Sequence, residues 1–189
     1  MTSTVTTLTG LNGLSGTYTL DPAHTRIGFV ARHAMVTKVR GSFGTFEGSA
    51  VVDGTDLAAS RVALTIEAAS IDTGNEQRDA HLRSNDFLAM DEFPQITFTS
   101  TAVRQAGPDT LDITGDLTVR GITRSVTVPF AFEGAAVDPF GNQRIGFEGS
   151  ATISRQDFGV TWNAPLEAGG VLVSDQVVLQ LDVSAIKTA

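Results

Sequence analysis

The sequence predicts an all-β protein, an eight-stranded antiparallel barrel with one short helix inserted between strands 3 and 4. Three observations carry this reading. Apolar and polar residues alternate through almost the whole chain after Gly16, the period-two signature of strands with one buried face. Successive alternating segments are joined mostly by short turns, as antiparallel neighbours are, with no regular strand–helix alternation to build a parallel sheet. Small residues, among them Ala31, Gly41, Gly48, Gly115 and Gly149, recur on the inward faces beside large ones, which favours a barrel over the competing two-sheet sandwich. Eight strands closed on themselves remove both exposed edges and enclose either a filled core or room for one small ligand. The small residues fit both: they leave space, or they relieve crowding and allow strand curvature in a packed interior.

Each strand follows from its alternation. In the first, Ile27, Phe29, Ala31 and His33 share one face while Arg26 and Arg32 take the other. The second sets Val39, Gly41 and Phe43 inward; Phe46, Gly48, Ala50 and Val52 resume one residue out of phase, which places a bulge near Gly44. Val62, Leu64, Ile66 and Ala68 form the inward face of the third. The pattern then stops, and Asn75 to Leu88 carries helical spacing after the cap-like run Ser70 to Gly74, ending before Pro94. Ile96 and Phe98 mark a fourth strand, with Gly107-Pro108-Asp109 as its turn. Leu111, Ile113, Gly115, Leu117 and Val119 give the cleanest amphipathic strand, followed by a tight hairpin at Gly121. Val126 to Phe132, Ile145 to Ile153 and Val177 to Val183 complete the eight.

With 189 residues and no compositional break, the chain reads as one domain over 16–189, preceded by a disordered polar tail at 1–15. Asp plus Glu number 21 against 13 Lys plus Arg, a net charge of −8, which disfavours nucleic acid and an anionic membrane surface as partners. The absence of cysteine removes disulfides, thiolate metal sites and cysteine nucleophiles. No apolar run approaches the roughly 18 residues of a membrane helix, so no integral membrane segment is expected. The start of the chain lacks the basic and apolar regions of a secretory signal, which makes the cytoplasm the expected location.

Few residues suggest chemistry. His24, His33 and His81 include no helical metal-binding pair, so no metal or other cofactor is expected. His33 closes an inward register and could meet the polar head of a guest; a rim histidine bonded to a neighbour is the plainer alternative. Glu76, Arg78, Asp79, His81 and Arg83 could form an acid–base cluster, but adjacent opposite charges on a capped helix more commonly pair with nearby loops, making that helix a lid or stopper. Asp72, Asp79, Asp157 and His33 are a conceivable catalytic set. Eleven Phe against one Trp and one Tyr provide apolar surface without hydrogen-bonding demand, suited either to a hydrocarbon guest or to a dry core.

The residues also resemble a known family. Tyr18-x-Leu20-Asp21-x-x-His24-Thr25-x-Ile27-x-Phe29, then His33, Gly41-x-Phe43-Gly44-x-Phe46, Ser70-Ile71-Asp72-Thr73-Gly74 and Arg78-Asp79-x-His81-Leu82 are similar to the YceI-like family. Asp86-Phe87, Pro94-x-Ile96-x-Phe98-x-Ser100-Thr101, Gly115-x-Leu117-Thr118-x-Arg120-Gly121-Ile122-Thr123 and Arg155-x-Asp157-Phe158-Gly159-Val160-x-Trp162 extend the match in order to near the C-terminus. The resemblance implies a lipocalin-like barrel whose apolar tunnel binds polyisoprenoids such as prenylated quinones, with no catalytic residues. It implies ligand contacts at Phe29, His33, Phe43, Phe46, Phe98 and Leu117; strand register adds Ile66, Val119, Phe130 and Phe147. Relatives often pair as homodimers, and many are periplasmic, whereas this chain begins with a polar Thr/Ser-rich segment. The leading expectation is a carrier, storage or sequestering protein for a hydrophobic small molecule. The alternatives are a β-barrel enzyme using His33 as base on a prenyl or aromatic substrate, and a binder of other hydrophobic compounds.

Overall fold

The computed structural model describes residues 10–189. Its strands are β1 (Gly16–Leu20), β2 (Arg26–His33), β3 (Thr37–Phe43), β4 (Phe46–Val52), β5 (Arg61–Glu67), β6 (Ile71–Asp72), β7 (Gln95–Gly107), β8 (Thr110–Val119), β9 (Ile122–Val137), β10 (Gln143–Ser154) and β11 (Gln176–Lys187). Among the described residues a single α-helix, α1 (Glu76–Arg83), lies between β6 and β7. The short strands combine end to end, so that β1 with β2, β3 with β4 and β5 with β6 make three long staves, and β7 to β11 supply five more. Every ladder is antiparallel. The ring closes where β11 pairs with both halves of the first stave, Leu20 opposite Ala185 and Ile27 opposite Leu181. Closure leaves only the two-residue β6, which pairs with β3 alone, as an end of the strand order among the described residues.

The breaks within staves have local causes. At Gly44-Thr45 the second stave changes phase: Gly44 N–H donates to the Ser70 carbonyl and Glu67 N–H to the Thr45 carbonyl, so the expected bulge is a two-residue interruption shared with the third stave. The first stave is broken by Asp21–Thr25, where Asp21 binds Arg144 Nη1 at 2.6 Å and His24 Nδ1 at 2.7 Å. Arg144 also binds Asp138 at 2.8 Å, which joins this break to the β9–β10 loop. The Arg144 guanidinium first, and His24 second, hold the Asp21 carboxyl down at about 2.

The helix is shorter than the spacing predicts. Asn75 caps it by accepting from Arg78 N–H at 2.9 Å, and it ends at Ser84, whose hydroxyl donates to the His81 carbonyl at 2.6 Å. The remaining residues to Pro94 are turns, with Phe87 and Ala89 N–H both donating to the Ser84 carbonyl. The tail expected at 1–15 also needs correcting. Residues 1–9 lie outside the described residues, whereas residues 10–15 are part of the barrel. Leu11 and Leu14 are 2% and 1% exposed. Their burial stabilises the fold by about 2 kcal/mol each, enough to hold a segment whose composition is otherwise polar.

Candidate functional site: an apolar cavity along the barrel axis

A cavity of about 350 Å³ runs through the barrel, within the range of small-molecule sites. Its wall is almost wholly apolar, because the inward positions of the eight staves are mostly Val, Ile, Leu, Phe, Ala and Gly. The ends belong to two separate packed clusters. One gathers Leu11, Leu14, Tyr18, Leu111 and Ile145; the other gathers Ile66, Phe87, Ile96, Phe158 and Val160.

The glycines explain how eleven Phe and a cavity coexist. A Cβ on Gly41 would fall on the Phe29 ring, one on Gly149 on the Phe130 ring, and one on Gly115 on the Phe98 ring. Each ring lies over a glycine of the neighbouring strand; Phe29 with Gly41 and Phe130 with Gly149 are direct cross-strand partners. The missing side chain lets the aromatic lie against the wall instead of standing into the lumen. Both sequence-level readings of the small residues therefore hold at once: they relieve crowding in the wall, and by doing so they keep the axis open.

One end is closed by Leu11, Leu14 and Leu57. The segment carrying the first two is fixed by Tyr18 Oη donating to the Leu14 carbonyl at 2.9 Å and Gly54 N–H donating to Ser15 Oγ at 2.8 Å. At the other end Leu82, Phe87, Leu88, Phe158 and Val160 line the cavity. The charged side chains of α1 hold that cover in place. Arg78 donates to the Thr73 carbonyl and hydroxyl, Arg83 to the carbonyls of Ala69 and Ile71, and buried Asp79 accepts from Thr73 N–H at 2.9 Å. His81 binds Asp86 at 2.8 Å and stands edge-on to Trp162, ring centroids 4.7 Å apart. These residues work structurally, as a stopper.

Among the described residues Arg155 is the one cation in the cavity wall, and it is 6% exposed. Its guanidinium donates to the carbonyls of Ser174 at 2.8 Å, Val160 at 2.7 Å, Trp162 at 3.0 Å and Val173 at 3.3 Å. It thereby ties the irregular segment 159–175 across the barrel end. Burial lowers its pKa, opposed by the charge of Asp175. Nothing in the wall's periodicity announces this residue, since its role is set by carbonyls remote in register; the Arg155-x-Asp157-Phe158-Gly159 motif is its only sequence signal.

Eight of the ten expected contact residues border the cavity: Phe29, Phe43, Ile66, Phe98, Leu117, Val119, Phe130 and Phe147. His33 does not. It is the exposed last residue of β2, bridged to Val173, and Ala31 is the last cavity-lining residue on that strand. Period two gives His33 the right face, but the wall ends before it. Phe46 is also displaced: it is buried in the packed cluster that holds Ile66, Ala68 and Ile96 and does not border the void, because it sits at the phase change. The set Asp72, Asp79, Asp157 and His33 contributes no group to the cavity wall. Missed were Leu11, Leu14 and Tyr18, although Tyr18 and Leu20 already alternate with Thr17 and Thr19.

Fold and cavity together define a closed antiparallel β-barrel with an apolar internal chamber. The profile of the YceI-like domain matches residues 18–185, and the chain belongs to that family. It is 38% identical over 161 residues to UPF0312 protein SAS2572 of Staphylococcus aureus, covering 85% of this chain and 91% of that protein. Among solved structures, Burkholderia cenocepacia BcnA superposes with a TM-score of 0.77 at 25% identity, covering 87% of this chain and 98% of that one. A polyisoprenoid binding domain from Saccharophagus degradans, implicated in plant cell wall breakdown, shares the fold with a TM-score of 0.68 at 15% identity, covering 90% and 98%.

Proposed function

We propose that the protein binds a chain-like apolar molecule of isoprenoid type along the barrel axis and serves as its carrier, store or sequestering protein. The observation that carries the reading is a chamber walled almost wholly by hydrocarbon side chains, with aromatic rings laid against the wall over glycines. Such a wall would be filled if stability were its sole purpose, because each unfilled volume forfeits packing energy. A polyisoprenoid matches it in being long, apolar and without internal hydrogen-bonding groups, and gains about 0.8 kcal/mol for each methylene-sized group moved out of water. The polyisoprenoid binding domain of S. degradans, which shares the fold, supports the same class of guest.

The test is native mass spectrometry of the purified protein, with organic extraction of whatever copurifies and incubation of stripped protein with prenyl quinones of several lengths. One guest per barrel, polyprenyl by fragmentation, is expected. A mass equal to the bare chain, unchanged by every prenyl quinone offered, refutes the proposal.

A further inference from the structure

The β2–β3 hairpin is out of keeping with an acidic protein. Arg26, Arg32, Lys38 and Arg40 lie between Asp21 and Glu47, a stretch with no Asp or Glu, in a chain of net charge −8. Arg32 stands directly opposite Lys38 in the ladder, and Arg40 follows two residues on along the same face. Like charges so placed repel. All three are exposed, and among the described residues none is paired with a carboxylate.

Beyond this basic face the hairpin tip is apolar and held outward. Met35 is 57% and Val36 is 78% exposed. The turn is closed by Val36 N–H donating to the His33 carbonyl at 3.1 Å, with φ of 51° at Ala34 and 62° at Met35. Positive φ at both central residues is the hairpin geometry that ordinarily selects Asn and Gly; here it is adopted by two residues poorly suited to it. Exposed Val171 lies on the adjoining segment, secured by Ala34 N–H donating to the Leu172 carbonyl at 2.7 Å. That segment, 159–175, carries two carboxylates, Glu167 and Asp175, and Asp175 is taken up by Ser154 Oγ at 2.6 Å and Gln156 N–H at 3.2 Å. The tip adjoins the cavity end directly, since His33 bridges to cavity-lining Val173 and follows cavity-lining Ala31 by two residues.

We propose that this hairpin is a docking site for an anionic lipid bilayer: Met35 and Val36 enter the interface, and Arg32, Lys38 and Arg40 engage lipid phosphates. The whole-chain charge, which disfavours such a surface, conceals this asymmetry; apolar insertion beside a few basic residues is the usual pairing of signals for reversible membrane attachment. The opposite end supplies the contrast. Phe140 is 88% exposed there, but the cation beside its loop, Arg144, is already held by Asp138 and Asp21, and Glu133 precedes the loop in β9.

The chain lacks cysteine, so Val36→Cys labels cleanly with an environment-sensitive fluorophore, and Phe140→Cys provides the comparison. The guest-free full chain is mixed with vesicles of phosphatidylcholine containing phosphatidylglycerol, or of phosphatidylcholine alone. No prenyl lipid is present, so the result does not depend on what the cavity holds. A blue shift at position 36 with anionic vesicles only, absent at 140 and reversed by high salt, is expected. Each cation at an anionic surface strengthens partitioning about fivefold, so Lys38→Glu with Arg40→Glu lowers it at least 25-fold, while Arg104→Glu leaves it unchanged. Circular dichroism confirms that each variant is folded. No shift at position 36, an equal shift on neutral vesicles, or a larger shift at 140 overturns the proposal.

Discussion

Replacing Gly149 with Ala tests whether glycines keep the lumen open. The three atoms nearest the new methyl all belong to the Phe130 ring, so the ring must turn. Phe147 stands edge-on to Phe130 with centroids 6.5 Å apart, which obstructs movement along the wall and leaves the lumen as the free direction. Overpacking of this kind costs about 1–3 kcal/mol of stability. A ring turned inward also occupies roughly the space of one five-carbon isoprene unit. At about 0.8 kcal/mol for each carbon no longer buried, a guest that fills the cavity loses up to about 4 kcal/mol, roughly a thousandfold in affinity. Guests one unit shorter lose little. Urea denaturation reads the first effect and titration with a length series of prenyl quinones the second. Gly44→Ala is the control, because open space surrounds that position and its φ is not positive. Unchanged stability together with unchanged affinity for the longest guest would refute the reasoning.

Leu14→Ala should cost about 2–3 kcal/mol in urea denaturation, the low end for buried leucine because the side chain borders an existing void; a loss under about 0.5 kcal/mol would mean that this segment does not close the barrel in solution. Arg155→Met should destabilise by about 3–5 kcal/mol, since the carbonyls of Ser174, Val160 and Trp162 lose their side-chain donor while that of Val173 keeps Asn163, and should increase proteolysis within 159–175; native-like protection of that segment would contradict the assigned role. Asp21 is held at about 2 in the fold against an ordinary 3.8. Its contribution is therefore complete above the ordinary value and is lost as pH falls through about 2. Thermal melts from pH 5 to 2 should show this acid loss in the parent chain and a shallower one in Arg144→Met; parallel acid limbs would show that the pairing is not the cause.

The strand register was legible because it is local. Alternation alone assigns Val177, Leu179, Leu181 and Val183, or Ile113, Leu117 and Val119, to the inside, and all of them line the cavity. The same periodicity carries no information about where a wall stops, so alternation puts His33 on the inward face at a position beyond the lumen, and Phe46 falls at a phase change fixed by the Gly44 and Thr45 backbone bonds to the neighbouring stave. The sequence by itself thus determined the all-β class, the inward faces and the apolar character of the interior, since each depends on neighbours one or two residues apart. Only the tertiary structure decided the ends of the chamber, where Leu11, Leu14, Phe87 and Arg155 act on segments distant in the chain. It also decided whether the glycines filled or opened the core, because a glycine's effect depends on which ring of the adjacent strand lies across it.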